Sequence, residues 1–113
     1  YLQWILDQGC FIGLDRYPGH GVSPHMRTVT LEKLMDMGYS DQLCPSHDCI
    51  CIHIHKELPD GTIPEEHQFQ KANPDQFLYM HRHVIPELKE MGASDADIEN
   101  LFVTNPRRFL FGE

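Results

Sequence analysis

From Tyr1 to Gln8, Leu2, Ile5 and Leu6 fall on one helical face with Trp4 beside them, and Gly9 stands where a left-handed turn would end the helix. Cys10-Phe11-Ile12-Gly13-Leu14 is then apolar without interruption, the pattern of a strand covered on both faces in a parallel sheet. Asp15-Arg16-Tyr17-Pro18-Gly19 is loop chemistry. Ser23-Pro24 predicts an N-cap followed by proline in the first helical turn. Leu31, Leu34, Met35 and Gly38 share a face with Arg27 one turn earlier, and Gly38 ends that helix as Gly9 ends the first. Gln42 to Asp48 is the next strand, although Pro45 removes a ladder donor from it.

Residues 49–76 are a polar connection with a turn at Pro59-Asp60-Gly61. They exceed the ~12–15 residues usual for a structureless loop, which marks the segment as functional or partly structured. Phe77, His81, Val84, Leu88 and Met91 predict one apolar helical face, with His81 a packed core histidine. Pro86 must begin the regular part of that helix or kink it. Ser94 with Asp97 reads as a capping pair, and Asn105-Pro106 opens a last helix ending near Gly112. The order is helix, strand, helix, strand, long loop, helices. Residues 10–48 thus form a βαβ unit, whose strands are expected to be parallel. Asp15 and Asp48 then sit at the C-terminal ends of their strands, on the face that carries active sites in parallel α/β architectures. Two helix–Gly–strand–Asp units in succession are also what a repeating β/α barrel looks like.

Composition narrows the partners. The 113 residues, 41% hydrophobic and 23% charged, fit one small domain or part of a larger one. The net charge of −8 and the scattered Lys and Arg give no basic patch for nucleic acid. No apolar run approaches the roughly 18 residues of a membrane helix. The chain opens on Tyr1 inside a helical pattern, so the expectation is that more chain precedes it. Of the four cysteines, Cys10 and Cys44 lie in apolar strand-like runs and Cys49 and Cys51 follow the second strand. Reduced thiols and a cytoplasmic setting are the expectation.

Several residues carry candidate chemistry. A carboxylate beside two divalent cations can orient a water and accept its proton, which suits Asp48; a loop cap suits a strand-end Asp equally well. Arg16 offers fixed donors for a carbonyl or phosphoryl oxygen, against the plainer reading of a surface pair with Asp15. Asp15 is read as holding the loop or a neighbour by hydrogen bonds. Strand alternation sends His47 to the side opposite Asp48, as a packed histidine behind the ligands rather than a ligand itself. Cys49, Cys51, His53 and His55 would face one way on an extended strand, and thiolate and imidazole are zinc ligands. They diverge over ~10 Å on a straight strand, so a strand-like extension packing isoleucines is the simpler reading. Arg107 and Arg108 read as surface or ion-pair residues, and Phe102, Phe109 and Phe111 as anchors for the tail.

Gly9 to Tyr17 resembles the seventh barrel strand of the phosphotriesterase family, especially its lactonase-like members. Ser46-His47-Asp48 resembles the end of their eighth strand, and Arg27 with Leu34 to Tyr39 the helix between. Val84 to Gly92 and Val103 to Phe109 resemble the C-terminal helices. The resemblance implies an α/β fold: the last two β/α units and C-terminal helices of a metal-dependent (β/α)8 TIM barrel of the amidohydrolase superfamily. Its parts would be 10–15 strand seven, 23–38 helix, 42–48 strand eight, 49–76 active-site loop and 77–113 C-terminal helices. It implies hydrolysis of a small-molecule ester, phosphotriester or lactone, by a bridging hydroxide between two divalent metal ions, zinc first among them. Asp48 would ligate the more buried metal and shuttle the proton, and Arg16 would line the substrate pocket. The other family ligands belong to earlier strands, so the 113 residues alone are expected to be inactive. No nucleic acid or membrane partner is expected, and a homodimer is compatible. Two alternatives stand beside this: a small zinc-binding or interaction module on Cys49, Cys51, His53 and His55, and a non-catalytic barrel relative.

Overall fold

The structure, a computed structural model, describes residues 1–18, 21–49 and 73–112. A short helix α1 (Leu2–Leu6) is closed by Gly9, whose φ of 78° is left-handed as the sequence requires. Strand β1 (Ile12–Leu14) follows, then helix α2 (Pro24–Leu34) and strand β2 (Leu43–Pro45). The two strands pair in parallel, Ile12 opposite Leu43, Gly13 opposite Cys44 and Leu14 opposite Pro45. Pro45 is tolerated because the next donor along the ladder is the Ser46 N–H, which reaches Leu14 O at 3.0 Å.

Both strands are shorter than expected. Cys10 and Phe11 lie outside β1, and Cys10 is exposed rather than packed as a small hydrophobe. Gln42 belongs to a tight 3₁₀ turn, Ser40–Gln42, rather than to β2. Its side-chain amide donates to Leu6 O at 2.7 Å and Cys10 O at 3.0 Å, tying the end of α1 and the approach to β1 to the second strand. The three cysteines among the described residues, Cys10, Cys44 and Cys49, are free thiols.

Ser23 caps α2 by accepting from Met26 N–H at 3.3 Å, with Pro24 in the first turn. Leu31 and Leu34 are buried. The helical pattern read over 23–38 breaks after Leu34 into a wide turn, Met35–Tyr39, in which Gly38 takes φ 91°.

After the long connection, a 3₁₀ turn (Gln76–Leu78) leads into a wide helical turn (Met80–Val84) and then α3 (Ile85–Glu90). Ser94 caps α4 (Asp95–Glu99) through a reciprocal pair with Asp97. A third wide turn (Asn100–Thr104) joins α4 to α5 (Asn105–Phe111), which stops at left-handed Gly112. The wide turns at Met80–Val84 and Asn100–Thr104 each immediately precede a helix with proline in its first turn, Pro86 and Pro106. Proline lacks the N–H and crowds the carbonyl four residues back; a widened turn relieves both faults without ending the helix.

This widening shifts the buried face. Met80, Val84 and Leu88 are buried, whereas His81 and Phe77 are exposed. The placement of His81 in the core is therefore corrected: counting back from Val84 at ordinary helical spacing passes through a turn that is not ordinary. The core comprises Leu6, Ile12, Tyr17, Leu31, Leu34, Leu43, Met80, Val84, Leu88 and Leu101, with Phe102 packed at its edge. Phe109 and Phe111 are exposed, although the Phe109 ring meets Phe11 edge-on at 5.6 Å. Among the described residues, no helix is long and apolar enough to cross a membrane.

Candidate functional site

Parallel pairing sends the C-terminal ends of β1 and β2 to one side. Asp15 and Arg16 leave the end of β1 there, and Ser46, His47 and Asp48 leave the end of β2. Arg16 and Asp48 meet across the gap, with Arg16 Nε 3.7 Å from Asp48 Oδ2. Both side chains remain open to solvent, 69% and 53% exposed. An exposed pair of this kind is worth ~0–1 kcal/mol.

The backbone beneath them is less comfortable. Arg16 has φ 66° and Asp48 φ 51°, left-handed values that L side chains rarely adopt. Each costs ~1–2 kcal/mol, less for an Asp, whose short polar side chain tolerates that region better than Arg does. Strain of that size exceeds what the ion pair returns. Stability alone therefore does not explain why both charged residues are held this way, and such outliers gather at functional sites.

Asp48 is not on a strand, because β2 ends at Pro45. The alternation argument for His47 thus loses its basis, although the side chain is packed. Its ring sits edge-on to Phe77 at 5.2 Å, and its Nδ1 accepts from Cys49 N–H at 3.0 Å, which fixes the turn around Asp48. Asp15 is exposed, and its backbone carbonyl, not its carboxylate, holds the loop: it accepts from Arg27 Nη1 at 3.0 Å. Arg27 Nε also donates to Val22 O at 3.3 Å.

Tyr17, next to Arg16, is driven inward until only 1% is exposed. Burial pushes its phenol up to about 12, opposed by the nearby Thr28 hydroxyl and the Arg27 charge. Thr28 donates its own proton to Pro24 O at 3.1 Å, and the Tyr17 hydroxyl has no well-formed hydrogen bond among the described residues. Its ring lies 6.4 Å from that of Tyr79, which in turn stacks at 4.6 Å on His83. His83 Nε2 is 2.6 Å from Asp75 Oδ2, and Arg82 binds the other Asp75 oxygen. These two partners, His83 foremost, hold the Asp75 carboxyl below the usual carboxylate range. His25 reaches Glu87 at 2.6 Å and ties α2 to α3.

Asn105, a helix start by its sequence pattern, is fully buried. Its amide donates to Ser40 O at 2.6 Å and Leu43 O at 2.9 Å, fastening the final helix to the beginning of β2. Nothing in an Asn-Pro pair distinguishes such a buried tie from an ordinary helix start.

Among the described residues, no three His, Cys, Asp or Glu side chains converge where they could hold a metal ion. Asp48 suits a single ligand: an accessible carboxylate just beyond the end of β2, with Arg16 Nε 3.7 Å away and so beyond hydrogen-bond reach. Cys51, His53 and His55, and the turn at Pro59-Asp60-Gly61, lie outside the described residues.

The βαβ unit thus presents strained, accessible charged residues beyond both strand ends, the side on which parallel α/β architectures carry ligands. The profile of the phosphotriesterase family matches residues 1–110, and the chain belongs to that family. A phosphotriesterase homology protein of Mycobacterium tuberculosis is 30% identical over 113 residues, covering 97% of this chain and 32% of the relative. An aryldialkylphosphatase of Saccharolobus solfataricus is 34% identical over 111 residues, covering 97% of this chain and 34% of the relative. The solved structure of the phosphotriesterase from Mycobacterium tuberculosis superposes with a TM-score of 0.79 at 30% identity, over 98% of this chain and 32% of that one. The chain thus spans about a third of the length of the relatives it matches.

Proposed function

We propose that this chain supplies the last two β/α units and C-terminal helices of a (β/α)8 barrel hydrolase that uses a pair of divalent metal ions, zinc being the expected species. The observation that carries this reading is the Arg16–Asp48 pair, held in left-handed backbone beyond the ends of two parallel strands. Family membership supports a hydrolase, and the relative named an aryldialkylphosphatase favours a phosphotriester; a lactone is the other ester considered.

In this reading Asp48 contributes one carboxylate to the metal centre, and the remaining ligands come from barrel strands outside these residues. Bound divalent metal supplies Lewis acidity that brings the pKa of water toward neutrality. Asp48 takes up a proton at a carboxylate oxygen and releases it outward. Arg16, 3.7 Å from Asp48 and exposed, offers donors to a phosphoryl or carbonyl oxygen. His47 and the backbone of Asp15 hold the two turns in place.

The test is Asp48→Asn in the full-length protein, assayed on an aryl dialkyl phosphate with a chromogenic leaving group and on a γ-lactone. Turnover is expected to fall about 10²–10⁴-fold, with metal content reduced and circular dichroism unchanged. Near-normal activity with full metal content would overturn the assignment.

A further inference from the structure

Arg16 occupies a backbone conformation that it does not favour, so something outside Arg16 must hold it there. Arg27, in the first turns of α2, bonds two carbonyls with one guanidinium. Its Nη1 reaches Asp15 O at 3.0 Å and its Nε reaches Val22 O at 3.3 Å. Asp15 opens the β1–α2 connection and Val22 closes it, so a single rigid plane clamps both ends of the segment that presents Arg16. On the other side of Arg16, Tyr17 is pinned in the core. Between a clamped carbonyl and a buried ring, the Arg16 backbone is held on both sides, and its side chain lies 3.7 Å from Asp48. We infer that Arg27 is a positioning residue that keeps Arg16 facing Asp48 by clamping the β1–α2 connection at both ends.

This rests on the site reading above for its functional meaning, but its geometry stands apart from it. Lysine preserves the charge at position 27 but not the planar fork, and one ammonium on a flexible stem does not reproduce the paired geometry. Each lost charge-assisted bond weakens the clamp.

The experiment compares Arg27→Lys, Arg27→Ala and Asp48→Asn in the full-length protein. The first readout needs no activity: the rate at which trypsin cuts the Arg16–Tyr17 bond, followed by mass spectrometry. Both Arg27 variants should be cut there about tenfold to a hundredfold faster, with other tryptic sites and the thermal midpoint little changed. Guanidinium chloride at tens of millimolar should restore protection to Arg27→Ala, and sodium chloride at equal ionic strength should not. The second readout is the chromogenic phosphotriester assay. Arg27→Lys should raise KM about tenfold with metal content unchanged, because one tenfold step corresponds to ~1.4 kcal/mol of misplaced Arg16.

If Arg27→Ala fails to fold, cleavage rises at every site and Arg27→Lys carries the test alone. Parent-like cleavage at Arg16 in Arg27→Lys overturns the inference, and so does a rise matched at all other sites. Failure of the site reading looks different. Asp48→Asn would then keep its activity while the Arg27 variants still loosened the loop.

Discussion

Replacing Asn105 separates hydrogen bonding from packing. The side chain is fully buried, and its amide serves two carbonyls, Ser40 O and Leu43 O. Leucine fills a similar volume but donates nothing. Two neutral hydrogen bonds contribute ~0.5–1.5 kcal/mol each, and a buried acceptor left unpaired adds ~1–3 kcal/mol. The Leu43 bond is wholly buried, whereas the Ser40 bond is part-buried and water can partly replace it. One further term runs the other way. The Asn105 carbonyl oxygen is itself buried without a partner among the described residues, and leucine removes that fault. The balance is a loss of ~2–3 kcal/mol for Asn105→Leu, at the upper end of ordinary substitutions. Asn105→Asp is nearly isosteric and sharpens the test. Ionised, it would face two carbonyls from inside the core, so its folded pKa must rise well above the ordinary ~3.9. A raised carboxyl pKa costs nothing below the unfolded value, and the cost grows as pH climbs from about 4 toward 7. Urea denaturation of the full-length parent and both variants at pH 5 and pH 8, compared at constant m-value, measures these differences. An Asn105→Leu protein within about 0.5 kcal/mol of the parent would refute the hydrogen-bond argument. So would an Asn105→Asp protein whose deficit is the same at both pH values.

Two other perturbations follow from the same reasoning. The buried Tyr17 hydroxyl has no well-formed partner among the described residues, so Tyr17→Phe should leave stability within ~1 kcal/mol of the parent at neutral pH. Because burial raises the phenol from 10.0 to about 12, the parent should lose stability as pH rises across that interval, and the Phe variant should lose less; denaturation at pH 9 and pH 11 would show it. The Asp75 carboxyl is held low by His83 and Arg82, so its contribution is present above the unfolded value near 4 and fades as pH falls. Asp75→Asn should flatten the stability profile between about pH 5 and pH 2, and an unchanged acid limb would remove the pair from the account.

Punctuation was the most legible part of the sequence. Gly9, Ser23-Pro24, Ser94 with Asp97, and Gly112 act locally, and each acts in the structure where the pattern placed it, whereas Gly38 is left-handed inside a wide turn, after the expected helix has already broken at Leu34. Parallel pairing was legible too, because a strand–helix–strand order leaves little choice. What depends on distant partners was not. His81 is exposed although its spacing predicts burial, because a widened turn before Pro86 breaks the regular helical periodicity. Cys10 looked like core because an apolar run does not reveal where its strand begins. At the candidate site, Asp48 and Arg16 could be named from strand ends and family resemblance. Their left-handed backbone could not, since neither is a residue type chosen for that conformation alone. Arg27 appeared as one position in a helical pattern, and only the fold shows it reaching back across the loop.

The left-handed backbone at Arg16 and Asp48 also limits what mutation can explore there. Valine, isoleucine and threonine carry two heavy atoms on Cβ and are outliers at positive φ, whereas glycine, asparagine, aspartate and histidine enter that region at low cost. The reachable alphabet at position 16 is therefore short and mostly polar, before any question of chemistry arises. A randomised library at that site would waste its β-branched members on misshapen loops. Replacements that keep the protein folded should concentrate in small or polar residues.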